Sequence, residues 1–142
     1  MDYSPLPNSG RVTRPHFRSP KTDSTVVLVV ESEVLIRMNT VQALENAGYL
    51  VLDAPHADGA IAILEQRSDV SAVLTDIDMP GSMDGLKLAH AIRGRWPPVH
   101  LIVASGQILS KDTELPLQAR FIRKPYEDRH VLAVLLELFC AE

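Results

Sequence analysis

Cysteine is nearly absent: Cys140 stands alone among 142 residues, so no disulfide can form within the chain. That excludes a disulfide-stapled fold, and a lone apolar-flanked thiol fits a reducing, cytoplasmic setting. Long apolar runs are missing as well. None approaches the ~18 residues needed to cross a bilayer, and the polar N-terminus lacks the apolar stretch of a secretory signal. No membrane contact is expected. There is no basic excess either: the net charge is −4. Residues 1–22 carry Arg11, Arg14, Arg18 and Lys21 against Asp2, a local balance of +3, which leaves −7 for the rest. An acidic body argues against DNA as a partner, and four spaced cations read as a solvated tail. The five histidines, His16, His56, His90, His100 and His130, show no metal-ligand spacing and receive no role.

Apolar residues are plentiful at 46%, enough for one domain with a real core. The length leaves no room for a second globular output domain. Residues 1–23 hold Pro5, Pro7, Pro15 and Pro20 with little apolar periodicity, and such a segment cannot offset its ordering entropy. The expected organisation is a flexible basic arm over 1–23 and a folded domain over 24–142.

Within that domain strands and helices alternate. Val26–Val30 is a continuous β-branched and leucine run, the mark of a strand buried on both faces. Glu33–Ala47 has apolar residues at 34, 35, 38, 41 and 44, a helical spacing stopped by Gly48. Leu50–Ala54, Val70–Thr75, His100–Ala104 and Ala119–Arg123 read as further strands. His56–Arg67 reads as a helix, as does a segment capped by Asp84 and ended by Pro97 and Pro98. The sequence also predicts a short helix within 109–118, cut by Pro116, and a last helix from Asp128 to about Cys140. Residues His90, Ile92 and Arg93 read as a solvated helix face. Strict alternation of apolar strands with helices implies a parallel, doubly wound α/β sheet with helices on both faces. Ligands of such sheets bind beyond the carboxyl ends of the strands, where the strand order reverses.

Those ends carry chemistry. Strand one runs into Glu31, strand three into Asp76 and then Asp78, strand four into Ser105, strand five into Lys124. Carboxylates, a hydroxyl and an ammonium group at one sheet edge suit phosphoryl transfer to a carboxylate. Asp76 is the candidate nucleophile. Mg²⁺ needs hard oxygen ligands, which Glu31, Asp76 and a main-chain carbonyl at Asp78 can supply. Lys124 would neutralise the roughly −2 of charge that arrives, and Ser105 can donate to a phosphoryl oxygen.

The stretches LVVESE, LTDIDMPGSMDG, VASG and RFIRKPY resemble the receiver domains of two-component response regulators, over residues 25–140. The resemblance implies a flavodoxin-like five-stranded sheet of order 2-1-3-4-5. It also implies that Asp76 takes phosphate, with Mg²⁺, from a histidine kinase or a histidine phosphotransfer protein. It makes Ser105 the switch hydroxyl, Lys124 the charged partner and Phe121 the aromatic that moves with the hydroxyl. Pro125 matches a proline often preceded by a cis bond, and Asp78 a position that tunes dephosphorylation.

Some positions depart from the family pattern. An acidic pair usually follows strand one, and its second member contacts Mg²⁺; here that second residue is Ser32, a weaker, uncharged ligand. The loop PGSMDG is one residue longer than the commonest form. The last helix has apolar residues over an arc of about 200°, more than one sheet face requires, which points to a second copy or a partner protein on that helix. The leading reading is a single-domain, phosphorylation-switched signalling protein, not an enzyme, that acts through a downstream protein partner. A pseudo-receiver that binds partners without phosphorylation is one alternative, favoured by Ser32. Another is a haloacid-dehalogenase-type phosphatase, since Asp76-Ile-Asp78 resembles its D-x-D motif. That motif, however, belongs on a first strand and usually continues Gly-Thr. A flavodoxin-like flavin site lacks its phosphate loop after strand one.

Overall fold

The computed structural model describes residues 25–79, 81, 83–107, 109 and 113–140. The arm over 1–23 lies outside the described residues. Five strands form one parallel sheet: β1 (Val26–Val30), β2 (Leu50–Ala54), β3 (Val70–Asp76), β4 (His100–Ser105) and β5 (Arg120–Arg123). Their order is β2-β1-β3-β4-β5, as the resemblance implies. Four helices accompany them among the described residues: α1 (Val34–Asn46), α2 (Ala57–Gln66), α3 (Gly85–Arg95) and α4 (Asp128–Cys140).

The sheet is buried on both faces because successive strand side chains point to opposite sides. Val26, Leu28, Val30, Val73, Leu101 and Val103 meet Ala60 and Leu64 of α2 and Leu88 and Ile92 of α3. Val27, Val29, Leu74, Ile102 and Ile122 meet Leu44 of α1 and Val134, Leu135 and Phe139 of α4. Each fully buried Val, Leu or Ile contributes roughly 1.5–3 kcal/mol, and this double core sets the register. The pairs Val30↔Thr75 and Asp76↔Ala104 bring the ends of β1, β3 and β4 level with one another.

Caps agree with the sequence in part. Asp84 accepts from the Lys87 N–H and starts α3. His56, given no role from sequence, caps α2 by accepting from the Gly59 N–H through Nδ1. Asp128 is the first residue of α4 itself.

The structure departs from the sequence pattern, or adds to it, at three places. No helix is found between β4 and β5 among the described residues. Residues 113–116 are irregular and 117–118 form a turn, since Pro116 cannot continue a helix. This connection lies against α3. The His90 Nε2 is 2.7 Å from the Glu114 carbonyl oxygen, and Arg93 donates to the carbonyls of Leu117, Pro97 and Val99. Arg93, half-buried, and His90, still exposed, clamp this connection, while Ile92, read as part of the solvated face, is fully buried. Second, the stripe at 34, 35 and 38 does not face the sheet. The inward side of α1 near its start is polar: Arg37 donates to the Glu31 carbonyl and to Asp53, and Thr40 shares a hydrogen bond with Tyr126. Val34, Leu35 and Met38 are exposed, Leu35 to 76%. Third, the broad apolar arc of α4 is mostly absorbed. Val131, Val134, Leu135 and Phe139 are buried, Leu132 and Leu138 are half-buried, and Leu136 is left 51% exposed.

Candidate functional site

The carboxyl ends of β1, β3, β4 and the residue after β5 converge on one point. Lys124, directly after β5, is placed by its N–H donating to the Ser105 carbonyl. Its ammonium donates to Glu31 Oε1 at 2.9 Å and to Asp76 Oδ2 at 3.0 Å. Both carboxylates are deeply set, Glu31 at 3% and Asp76 at 4% exposure. Burial of two such groups is tolerable only when charge and hydrogen bonds compensate. The remaining oxygens are engaged by main chain: Glu31 Oε2 accepts from the Glu33 N–H, and Asp76 Oδ1 from the Asp78 N–H. The bond from Lys124 to Pro125 is cis.

Electrostatics follow from this packing. Burial pushes the Asp76 carboxyl above its ordinary value; the hydrogen bonds from Lys124 and the Asp78 N–H oppose it, and the Glu31 charge adds to it. Burial works against the Lys124 ammonium, but its hydrogen bonds to Glu31 and Asp76 outweigh that and hold it above the ordinary lysine value.

Ser105, at 1% exposure, donates through Oγ to Asp78 Oδ2 at 3.0 Å and accepts from the Gln107 N–H at 3.1 Å. Phe121 is on the edge strand and partly exposed. Ser32 is half-buried. It lines a cavity of about 400 Å³ together with His56, Asp58 and Met83. Glu31, Asp76, Asp78, Ser105 and Lys124 are thus brought together, while Phe121 stands apart from the hydrogen bonds that join them.

Sequence reasoning gave Glu33 only as the start of the first helix and passed over Gly85. Glu33 caps α1 with its backbone in the extended region. Its main-chain N–H orients Glu31, and its carboxylate comes within 3.9 Å of the Lys124 ammonium. Gly85 opens α3 hard against the end of β3. A methyl group added there would collide with the Asp76 carbonyl oxygen, so α3 can approach β3 only through a glycine. The Gly85 N–H donates to the Ile77 carbonyl, and the Thr75 hydroxyl donates to the Asp76 carbonyl. The signal for Gly85 was its place beside the cap Asp84.

Among the described residues no group of three or more His, Cys, Asp or Glu side chains is arranged to hold a metal ion, and no helix is long and apolar enough to cross a membrane. Comparison with known proteins gives a match to the response regulator receiver domain family over residues 27–136. The chain is similar to the sensor kinase CckA of Brucella abortus (strain 2308), at 33% identity over 121 residues, covering 81% of this chain and 12% of that protein. It is similar to the transcriptional regulatory protein ResD of Bacillus subtilis (strain 168), at 31% identity, covering 79% of this chain and 47% of that one. The chain therefore spans less than half the length of either relative. Among solved structures, the signal receiver domain of an HD domain-containing protein from Pseudomonas fluorescens Pf-5 superposes with a TM-score of 0.71. The identity is 26%, over 83% of this chain and 98% of that one.

Proposed function

The chain belongs to the response regulator receiver domain family, and from that premise we propose that Asp76 accepts a phosphoryl group from a histidine kinase or a histidine phosphotransfer protein. The observation that carries this reading is the Lys124 ammonium held between Glu31 and Asp76. In the transfer, the bond from phosphorus to the donor nitrogen breaks and a bond to an Asp76 carboxylate oxygen forms. Lys124 then offsets part of the roughly −2 of incoming charge. Two unit charges about 4 Å apart interact by about 4 kcal/mol at an effective dielectric near 20, so this one cation matters. Ser105 supplies the hydroxyl that answers the new phosphoryl oxygens, and Phe121 is the aromatic that moves with it.

Receiver domains generally bind Mg²⁺ at their acidic site. By donor chemistry the Glu31 and Asp76 carboxylates would hold that ion, with the Asp78 carbonyl and, more weakly, the Ser32 hydroxyl beside them. Mg²⁺ is commonly held by one or two carboxylates with waters and phosphate oxygens completing its shell. When bound it neutralises charge on the phosphoryl oxygens.

Signalling would pass by protein contact to a downstream partner in the cytoplasm. The exposed Leu136 is what α4 retains for pairing with a second copy. In contrast to the phosphatase alternative, the D-x-D motif sits at the end of β3, inside the sheet, and Asp78 is hydrogen-bonded to Ser105.

Acetyl phosphate with Mg²⁺ tests the reading. The intact mass should rise by one phosphoryl group in the wild type and not in Asp76→Asn. No gain in the wild type, or an equal gain in the variant, overturns it. Ser32, neutral where the family carries a second acid, favours the second reading, a pseudo-receiver, and an unreactive wild type would support it.

A further inference from the structure

We propose that Asp78 is a positioning residue that holds the Ser105 hydroxyl at rest and competes with the phosphoryl group for it. The proposal rests on the reading of Asp76 as phosphoacceptor. A serine hydroxyl has one proton and can donate one hydrogen bond at a time. In this structure that proton is committed: Ser105 Oγ donates to Asp78 Oδ2 at 3.0 Å, while the Gln107 N–H occupies an acceptor position at 3.1 Å. Ser105 cannot donate to a phosphoryl oxygen on Asp76 until it releases Asp78.

The geometry suits an exchange rather than a fixed contact. The Ser105 main chain is anchored, its carbonyl accepting from the Lys124 N–H and its neighbour Ala104 registered against Asp76. The hydroxyl is therefore the part free to turn. Asp78 touches both partners at once, its N–H on Asp76 Oδ1 and its carboxylate on Ser105. It is also exposed, so once released its carboxylate is rehydrated at little cost. Both acceptors are anionic, and hydrogen bonds to ionised acceptors are roughly twice as strong as neutral ones. Neither side wins by a wide margin, and the balance sets how completely phosphorylation moves the hydroxyl.

A double-mutant cycle on the full chain tests this, with beryllofluoride and Mg²⁺ as the phosphoryl mimic and binding followed by amide chemical shifts. Asp78→Ala should bind the mimic about three- to tenfold more tightly when Ser105 is present, the scale of one hydrogen bond. It should bind with unchanged affinity in the Ser105→Ala background. Asp78→Asn keeps an oxygen acceptor without the charge and should fall between wild type and Asp78→Ala. An equal gain in both backgrounds would mean that only charge repulsion is relieved, and would overturn the proposal. The same four proteins, unfolded in urea without the mimic, should show non-additive stabilities; additivity would show that the resting bond has no weight and would also overturn it. A wild type that ignores the mimic overturns the phosphoacceptor reading and the competition with it. Non-additive stabilities would then still support the resting bond.

Discussion

Asp76 and Glu31 are two carboxylates, nearly out of solvent, that share the Lys124 ammonium. Removing the cation and removing one of the anions should have opposite effects. Lys124→Ala leaves two buried anions facing each other, and breaking a buried pair by deleting one partner costs about 3–5 kcal/mol. Asp76→Asn removes one of the two like charges and a carboxylate that burial disfavours, so it should be neutral or mildly stabilising. Urea unfolding midpoints of the two variants would check this; a marked loss in Asp76→Asn would count against like-charge strain at rest. The chemistry-bearing residues were legible because each follows an apolar strand, and parallel strands in register bring their ends to one edge. The parts that Glu33 and Gly85 play at the site were not legible. One acts on Glu31 through its N–H, the other by having no side chain at all, and neither leaves a residue-type signature.

At the scale of elements, the strands read well because a run buried on both faces is apolar throughout. The faces of the helices read less well. Apolar spacing at Val34, Leu35 and Met38 marked α1 as a helix without giving its buried side, and Arg37 and Thr40 take the inward side by bonding to Glu31, Asp53 and Tyr126. What results is an exposed apolar patch on the first turns of α1, immediately after the loop that carries Glu31. A protein phosphodonor would meet this patch, whereas a small one would not. Leu35→Ala with Met38→Ala should slow phosphotransfer from a histidine phosphotransfer protein about tenfold, the scale of a moderate interface contact. The reaction with acetyl phosphate should be unaffected. Equal slowing with both donors would place the defect in the site rather than in docking. The connection between β4 and β5 is the other element that pattern misjudged. Helical propensity there is overruled by Pro116 and by the carbonyls that Arg93 and His90 secure.

At the scale of the molecule, the face of the sheet covered by α1 and α4 closes over two tyrosines as well as aliphatic side chains. Burial raises Tyr49 above the ordinary tyrosine value of 10.0, with the Cys140 charge adding to it. Burial raises Tyr126 too, its hydrogen bond to Thr40 opposing and the Glu31 charge adding to the shift. The Tyr49 hydroxyl has no hydrogen-bond partner among the described residues. Above pH 10.0 the unfolded chain gives up these protons before the native state does. The native state then binds more protons, and stability falls as pH rises. Replacing both by Phe should flatten that alkaline loss in urea unfolding, and an equally steep loss in the double variant would refute the assignment.

The hydrogen bonds of the site also form one unbroken line across the sheet. It runs from the Gln107 N–H through Ser105, Asp78, Asp76, Lys124 and Glu31 to the Glu33 N–H. Its two ends are backbone amides, which an isotope-labelled sample makes visible one by one. Gln107 and Glu33 are thus built-in terminals at either end of the circuit. A disturbance at one link should shift the nearer amide more, so the end that answers more strongly would tell on which side of Asp76 it began.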